Sequence, residues 1–64
     1  MSRVDDLEKF VKAAFETGCE RARVETGRYK GFMRNTVEAL GRRGYKVERI
    51  PRSFTGFYIY PKKD

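Results

Sequence analysis

The stretch Thr36-Val37-Glu38-Ala39-Leu40-Gly41-Arg42-Arg43-Gly44-Tyr45-Lys46-Val47-Glu48-Arg49 changes its hydrophobic period midway, and that change decides the fold. Ahead of Gly44 the period is helical. Tyr29, Phe32, Met33, Val37 and Leu40 form an apolar stripe with Thr36 and Ala39 at its edges, and Lys30, Arg34, Asn35, Glu38 and Arg42 occupy the opposite face. Beyond Gly44 the period is two: Tyr45, Val47 and Arg49 alternate with Lys46, Glu48 and Ile50. The junction Arg42-Arg43-Gly44-Tyr45 is a good helix end. Cations sit near the negative pole of the helix, Gly44 can take positive φ, and Tyr45 can pack back on the last turn.

Working outward toward the C-terminus, Pro51-Arg52-Ser53-Phe54-Thr55-Gly56 makes a hairpin connection longer than a two-residue turn. Phe57 and Ile59 then point one way and Tyr58 and Tyr60 the other. Pro61 ends the strand and Lys62-Lys63-Asp64 reads as a solvated tail. Toward the N-terminus, residues 19–27 are ambiguous. Ala22 and Val24 alternate with Arg21, Arg23 and Glu25, which reads as a short strand over 20–25, a short helix being the alternative. Thr26-Gly27 then forms a turn. Before it, Val4, Leu7, Phe10, Val11, Ala14 and Phe15 recur on one face of a first helix, with Ser2 as its cap, Asp5 completing a short capping box, and Thr17-Gly18 as its stop. Asp5–Lys9 and Glu8–Lys12 are acid-before-base pairs one turn apart, suited to an exposed face. The expected architecture is α+β: two helices packed on a small antiparallel sheet made from the C-terminal hairpin, with a third short strand at 20–25. Phe57, Ile59 and Val47 would meet Phe10, Phe15, Phe32 and Leu40 in the core.

With 64 residues the chain is too short for two cored domains, so residues 1–64 read as a single basic domain. Small domains usually lean on disulfides, metals or self-association. One cysteine and no histidine leave no disulfide and no zinc site, so a well-packed core or a homodimer remains. Five phenylalanines and four tyrosines are enough to argue against disorder. No apolar run is long enough to span a bilayer, and Met1-Ser2-Arg3-Val4-Asp5-Asp6 lacks the basic-then-apolar order of a signal peptide. The expectation is a cytoplasmic protein with a reduced Cys19 and no membrane partner.

The net charge of +6 is unevenly placed. Residues 1–27 hold five Lys/Arg against six Asp/Glu, and residues 28–64 hold ten against three. The whole positive excess lies in the C-terminal part, which points to an anionic partner, although many small proteins are basic for solubility alone.

Catalysis is disfavoured by inventory. Without histidine there is no Ser-His or Cys-His pair, and no Gly-rich phosphate loop occurs. Arg21 and Arg23 could lower the Cys19 pKa if it were exposed, but with no base and no second cysteine a small buried core residue is the better reading. Asp5, Asp6, Glu8, Glu16 and Glu20 could ligate Mg²⁺ by residue type, yet most fall on the outer face of the first helix, where salt bridges account for them. No catalytic residue, metal or cofactor is expected.

Two sites suit binding instead. On the second helix, Lys30, Arg34 and Arg42 can lie along phosphates while Asn35 reads an adenine edge. On the hairpin, Arg49, Arg52 and Phe54 form a basic, aromatic tip, and Tyr58 and Tyr60, flanked by Lys46, form a platform for stacked bases or a protein partner.

The run from Thr36 to Leu40, through Gly44 to Arg49, with the loop and strand that follow, resembles the recognition helix and wing of a winged helix-turn-helix domain over about half the chain. That family packs two helices ahead of residue 28, where residues 19–27 here offer at most one short helix. The resemblance implies a helix and hairpin that dock together on nucleic acid.

The leading expectation is therefore a small non-enzymatic nucleic-acid-binding or regulatory protein. The alternative is a protein-interaction module, a small inhibitor or adaptor that docks its hairpin on an acidic partner. In that alternative an exposed final strand could pair edge to edge in a homodimer.

Overall fold

The computed structural model describes residues 3–27 and 31–62. Ser2, Tyr29, Lys30 and Lys63, named above as cap, stripe, binding and tail residues, lie outside the described residues. The elements run α1 (Arg3–Glu16), β1 (Ala22–Glu25), α2 (Arg34–Arg42), β2 (Lys46–Arg49) and β3 (Gly56–Tyr60). The three strands form one antiparallel sheet in the order β1-β3-β2. The α+β architecture expected from the sequence is present, third strand included. The final strand, however, is paired on both sides, so it is not the free edge through which a homodimer was expected to form. The edges are β1 and β2.

Register sorts the side chains. Across the sheet, Ala22–Ile59–Val47 and Val24–Phe57–Arg49 form two rows on the helix side, and Arg23–Tyr58–Glu48 forms a row on the opposite face. Leu7 and Val11 from α1 and Val37 and Leu40 from α2 fill the space above Ala22, Val24, Phe57 and Ile59. Five of these side chains (Leu7, Val11, Val37, Leu40 and Ile59) are fully shielded from solvent. Each such side chain contributes about 1.5–3 kcal/mol of transfer free energy. Phe15, Phe32 and Val47 pack only at the margin of this cluster. Phe10, expected in the core, is 50% exposed. The seam of α1 runs through Leu7 and Val11, and Phe10 is turned outward to lie against Phe32, ring centroids 6.4 Å apart.

Helix α2 begins later than the apolar stripe suggested. Phe32 is extended and bridges in parallel to Thr26, with the Gly27 amide donating to the Phe32 carbonyl at 3.0 Å. Met33, at φ −86° and ψ 155°, is the residue before the helix, and its side chain is 55% exposed. Backbone pairing with Thr26 thus overrides the helical spacing of Phe32 and Met33. The end of α2 is as expected: Gly44 has φ +108° and Tyr45 is buried. Helix α1 ends in a Schellman arrangement, with the Gly18 amide on the Phe15 carbonyl (3.0 Å), the Cys19 amide on the Ala14 carbonyl (3.2 Å), and Gly18 at φ +96°. That geometry puts Cys19 just outside the helix, exposed rather than in the core.

A polar cluster ties α1 to the α2–β2 junction. The Glu8 carboxylate accepts from the Tyr45 hydroxyl at 2.8 Å and from Arg43 Nη1 at 2.9 Å. Lys12 and Lys62 lie at 3.8 and 3.7 Å. Arg43 also donates to Asp5 at 2.8 Å. Glu8 is therefore not a residue of the outer helix face: its side chain is only 17% exposed. Asp5, expected to pair with Lys9, is held by Arg43, and Lys62 is drawn from the tail onto Glu8 and the Tyr45 ring. The Tyr45 hydrogen bond is the chief cause that lowers the Glu8 pKa below 4.5, and burial pushes the Tyr45 hydroxyl up to about 12.

The hairpin connection is a type II turn. Ser53 N donates to the Ile50 carbonyl at 3.2 Å, Pro51 takes the second position, and Arg52 takes the third at φ +67°. Ser53 Oγ then accepts the amides of Thr55 (3.3 Å) and Gly56 (2.8 Å). Gly56 has no room for a side chain: a Cβ there would sit 2.7 Å from Ile50 Cδ1 and 2.9 Å from Ser53 Oγ.

Two outcomes follow from these contacts. Gly56→Ala should destabilise the fold by roughly 1–3 kcal/mol in urea unfolding, because Ser53 Oγ is held by two amides and cannot retreat freely. Tyr45→Phe should cost about 1 kcal/mol near neutrality. The sign of its pH effect is fixed by linkage. Glu8 has a lowered folded pKa, so its contribution is present above 4.5 and is lost as pH falls; removing the Tyr45 hydroxyl moves acid unfolding to higher pH. Tyr45 has a raised folded pKa, so its contribution is whole below pH 10 and is lost toward 12; the variant lacks that alkaline loss. Circular dichroism across pH for both proteins checks this, and superimposable acid limbs would count against it.

Candidate functional site

The expected binding residues fall on three surfaces. On α2, Thr36, Val37 and Leu40 are buried, which leaves Arg34, Asn35, Glu38 and Arg42 together on the solvent face. Among the described residues neither Arg34 nor Arg42 makes an ion pair. Glu38, one turn from each of them, is paired with neither. The first turn of α2 has no acidic residue, and Met33 supplies no side-chain cap. Arg34 therefore adds its charge to the positive end of the helix, an unfavourable pairing that an anion would relieve.

On the hairpin, Arg49 follows Val47 by two residues and so faces the helix side of the sheet. Val47 itself lies against Gly41 of α2, with its Cγ2 atom 3.4 Å from where a Gly41 Cβ would be. The outer face of α2 and the hairpin's Arg49 thus belong to one side of the molecule. Beyond Arg49, residues Ile50 to Phe54 enclose an open concavity of about 320 Å³. Arg49 and Arg52 are exposed and unpaired among the described residues, and Phe54 at the tip is 93% exposed.

The third surface is the sheet face away from the helices. Here Tyr58 and Tyr60 are half-buried by their neighbours on the same face. The Arg21 guanidinium lies 3.7 Å from the Tyr58 ring centroid and donates to the Tyr60 hydroxyl at 3.2 Å. Lys46 stands 5.3 Å over the Tyr60 ring, and the Tyr60 hydroxyl donates to Glu48 at 3.1 Å. Arg23 pairs with Glu25 at 3.1 Å. This face is an internally matched lattice of cations, rings and acids.

The structure thus brings Lys46, Tyr58 and Tyr60 together on one side, and Arg34, Asn35, Arg42 and Arg49 on the other, with Arg52 and Phe54 at the tip. The helix and hairpin residues expected to dock together on nucleic acid are divided by the sheet. Arg21 is the residue that sequence reading left out. Its signal was the alternation Arg21-Ala22-Arg23-Val24, which sets both arginines opposite the buried pair and, through the register, beside Tyr60 and Tyr58. Among the described residues, no group of three or more Cys, Asp or Glu is placed to hold a metal ion. No helix of the described residues is long and apolar enough to cross a membrane. Comparison with protein-family models, with curated proteins and with solved structures returned no match.

The stacking of Arg21 on Tyr58 has a direct readout. Arg21→Ala should uncover the ring and raise the quenching of tyrosine fluorescence by acrylamide. Unchanged quenching would show that the stack does not shield the ring.

Proposed function

We propose that this is a small, non-enzymatic nucleic-acid-binding protein that grips phosphates through α2 and the hairpin. One observation carries the reading. Arg34, Arg42, Arg49 and Arg52 make neither an ion pair nor a ring contact among the described residues, whereas Arg43, Arg23, Lys12 and Lys62 are each matched to an acid and Arg3, Arg21 and Lys46 lie over aromatic rings. The arginines left with neither an acid nor a ring all belong to α2 or the hairpin, Lys9 on α1 being the one lysine in the same state among the described residues, and the net charge of +6 adds a long-range attraction for polyanions. A guanidinium binds phosphate through two parallel N–H groups, and the uncapped N-terminus of α2 adds backbone donors beside Arg34. Asn35 shares the solvent face of α2 and can pair with an adenine edge.

The alternative is a protein-interaction module that docks the aromatic, basic hairpin on an acidic partner. The exposure of Phe54 favours it, since interfaces are organised around aromatic and arginine anchors. The two readings separate on salt and on partner.

Under the first reading, a random-sequence duplex binds in the micromolar range at low salt. Four phosphate contacts give a slope of log affinity against log salt near −3 to −4. Replacing Arg34 and Arg42 together by Gln should flatten that slope by about 2 with little change in stability. Fluorescence anisotropy over a salt series measures both quantities. Affinity indifferent to salt, or no binding at low salt, rejects the reading, and capture of one acidic protein by the wild-type chain but not by Phe54→Ala would favour the alternative.

A further inference from the structure

We infer that the hairpin tip is a base-stacking wedge: Phe54 inserts against unpaired bases while Arg49 and Arg52 hold the phosphates on either side. The inference rests on the nucleic-acid reading above and specifies its ligand as nucleic acid with unstacked bases.

Exposure is the first observation. Among the described residues Phe54 is 93% exposed, against 55% and 50% for the next most exposed large apolar residues, Met33 and Phe10. A phenyl ring left in water is uncommon in a chain with so small a core, where every apolar side chain is needed inside.

The second observation is that the backbone on both sides of the ring is pinned. Ser53 Oγ takes the Thr55 and Gly56 amides. The Thr55 carbonyl accepts Thr26 N at 2.8 Å and Thr26 Oγ1 at 2.9 Å, and Thr55 Oγ1 donates to Glu25 at 2.7 Å. Phe54 is therefore presented outward from a loop tied to β1. With the backbone pinned, binding has only the two side-chain torsions of Phe54 to order, which favours affinity.

The third observation is charge and strain at the same tip. Arg52 occupies φ +67°, a conformation that suits glycine, yet presents a guanidinium there. Arg49 lines the same concavity as Phe54 and is likewise unpaired among the described residues. One flat apolar ring and two guanidinium groups around one concavity match one flat base and its flanking phosphates. Stacking of a base on an aromatic side chain accepts any base, so this contact adds preference for open structure rather than for sequence. A membrane would ask for more apolar surface than one ring, and Ser53 and Thr55 beside it are polar.

The test compares a short duplex carrying a central unpaired bubble, with 2-aminopurine in the bubble, and the same duplex fully paired. The wild-type protein should prefer the bubble by about tenfold and should change 2-aminopurine fluorescence on binding. Phe54→Ala should lose that preference and the fluorescence change while keeping salt-dependent binding to the paired duplex. Phe54→Trp should retain both, and Phe54→Leu should not, because it is apolar but not planar. Arg52→Gly should keep or raise the melting temperature while weakening binding to both duplexes. If Phe54→Ala keeps the full preference for the bubble, the wedge is wrong and phosphate binding stands. If the wild-type protein binds neither duplex at low salt, the underlying reading fails as well. Sedimentation of the wild-type protein, but not of Phe54→Ala, with phosphatidylserine vesicles in that case would assign the tip to a membrane surface and overturn the inference.

Discussion

The whole molecule depends on the two-residue alternation of β3. As the middle strand, it offers Phe57 and Ile59 to the helices and Tyr58 and Tyr60 to the opposite face, and each neighbour strand must match it row by row. A slip of one residue would exchange the two sets and place two phenolic hydroxyls under the helices. The core above β3 is small, and Glu8 supplements it. One carboxylate joins α1 to Tyr45 and Arg43, so the α2–β2 junction is fixed by polar contacts where apolar side chains are few.

That division of labour explains the two faces of the sheet. On the far face, cations are spent on rings and acids: Arg21 on Tyr58 and Tyr60, Lys46 over Tyr60, Arg23 on Glu25. On the near face and at the hairpin tip, arginines stand without acids among the described residues. Net charge alone does not separate these two populations. Matching each cation to its neighbours leaves Lys9 on α1, Arg34 and Arg42 on α2, and Arg49 and Arg52 on the hairpin without a partner among the described residues, and none on the tyrosine platform.

Much of this was legible in the sequence, for reasons that differ by element. The switch from a helical to a strand period at Gly44, the buried Tyr45 beyond it, and the hairpin after Pro51 are local signals, and local physics realised them. The alternation of Ala22 and Val24 favoured a strand over a short helix, and pairing with β3 decides it. What the sequence hid was non-local. Phe32 and Met33 have helical spacing, but pairing of residue 32 with Thr26 holds them extended, so α2 starts at Arg34. Phe10 shares the apolar stripe of α1 yet lies beside Phe32 because Leu7 and Val11 occupy the seam. Cys19 was assigned to the core by residue type, and the helix-ending geometry at Gly18 turned it out. For the binding surface, residue types were readable but their sides were not. Whether Lys46 and Arg34 share a face depends on which side of the sheet α2 covers, a fact carried by no single segment.

The position of β3 has a consequence for how the chain acquires its structure. Residues 22–25 and 46–49 have no hydrogen-bonding neighbour in the sheet until residues 56–60 have been made, since the two outer strands never touch each other. The pairing of Ala22 with Ile59 closes a loop that encompasses α2 and the hairpin, so the ordering cost falls late and all at once. A nascent chain that stops short of Gly56 holds two helices that can meet each other but no sheet beneath them. Completion of the sheet therefore waits on its middle strand, the last of the three in the chain.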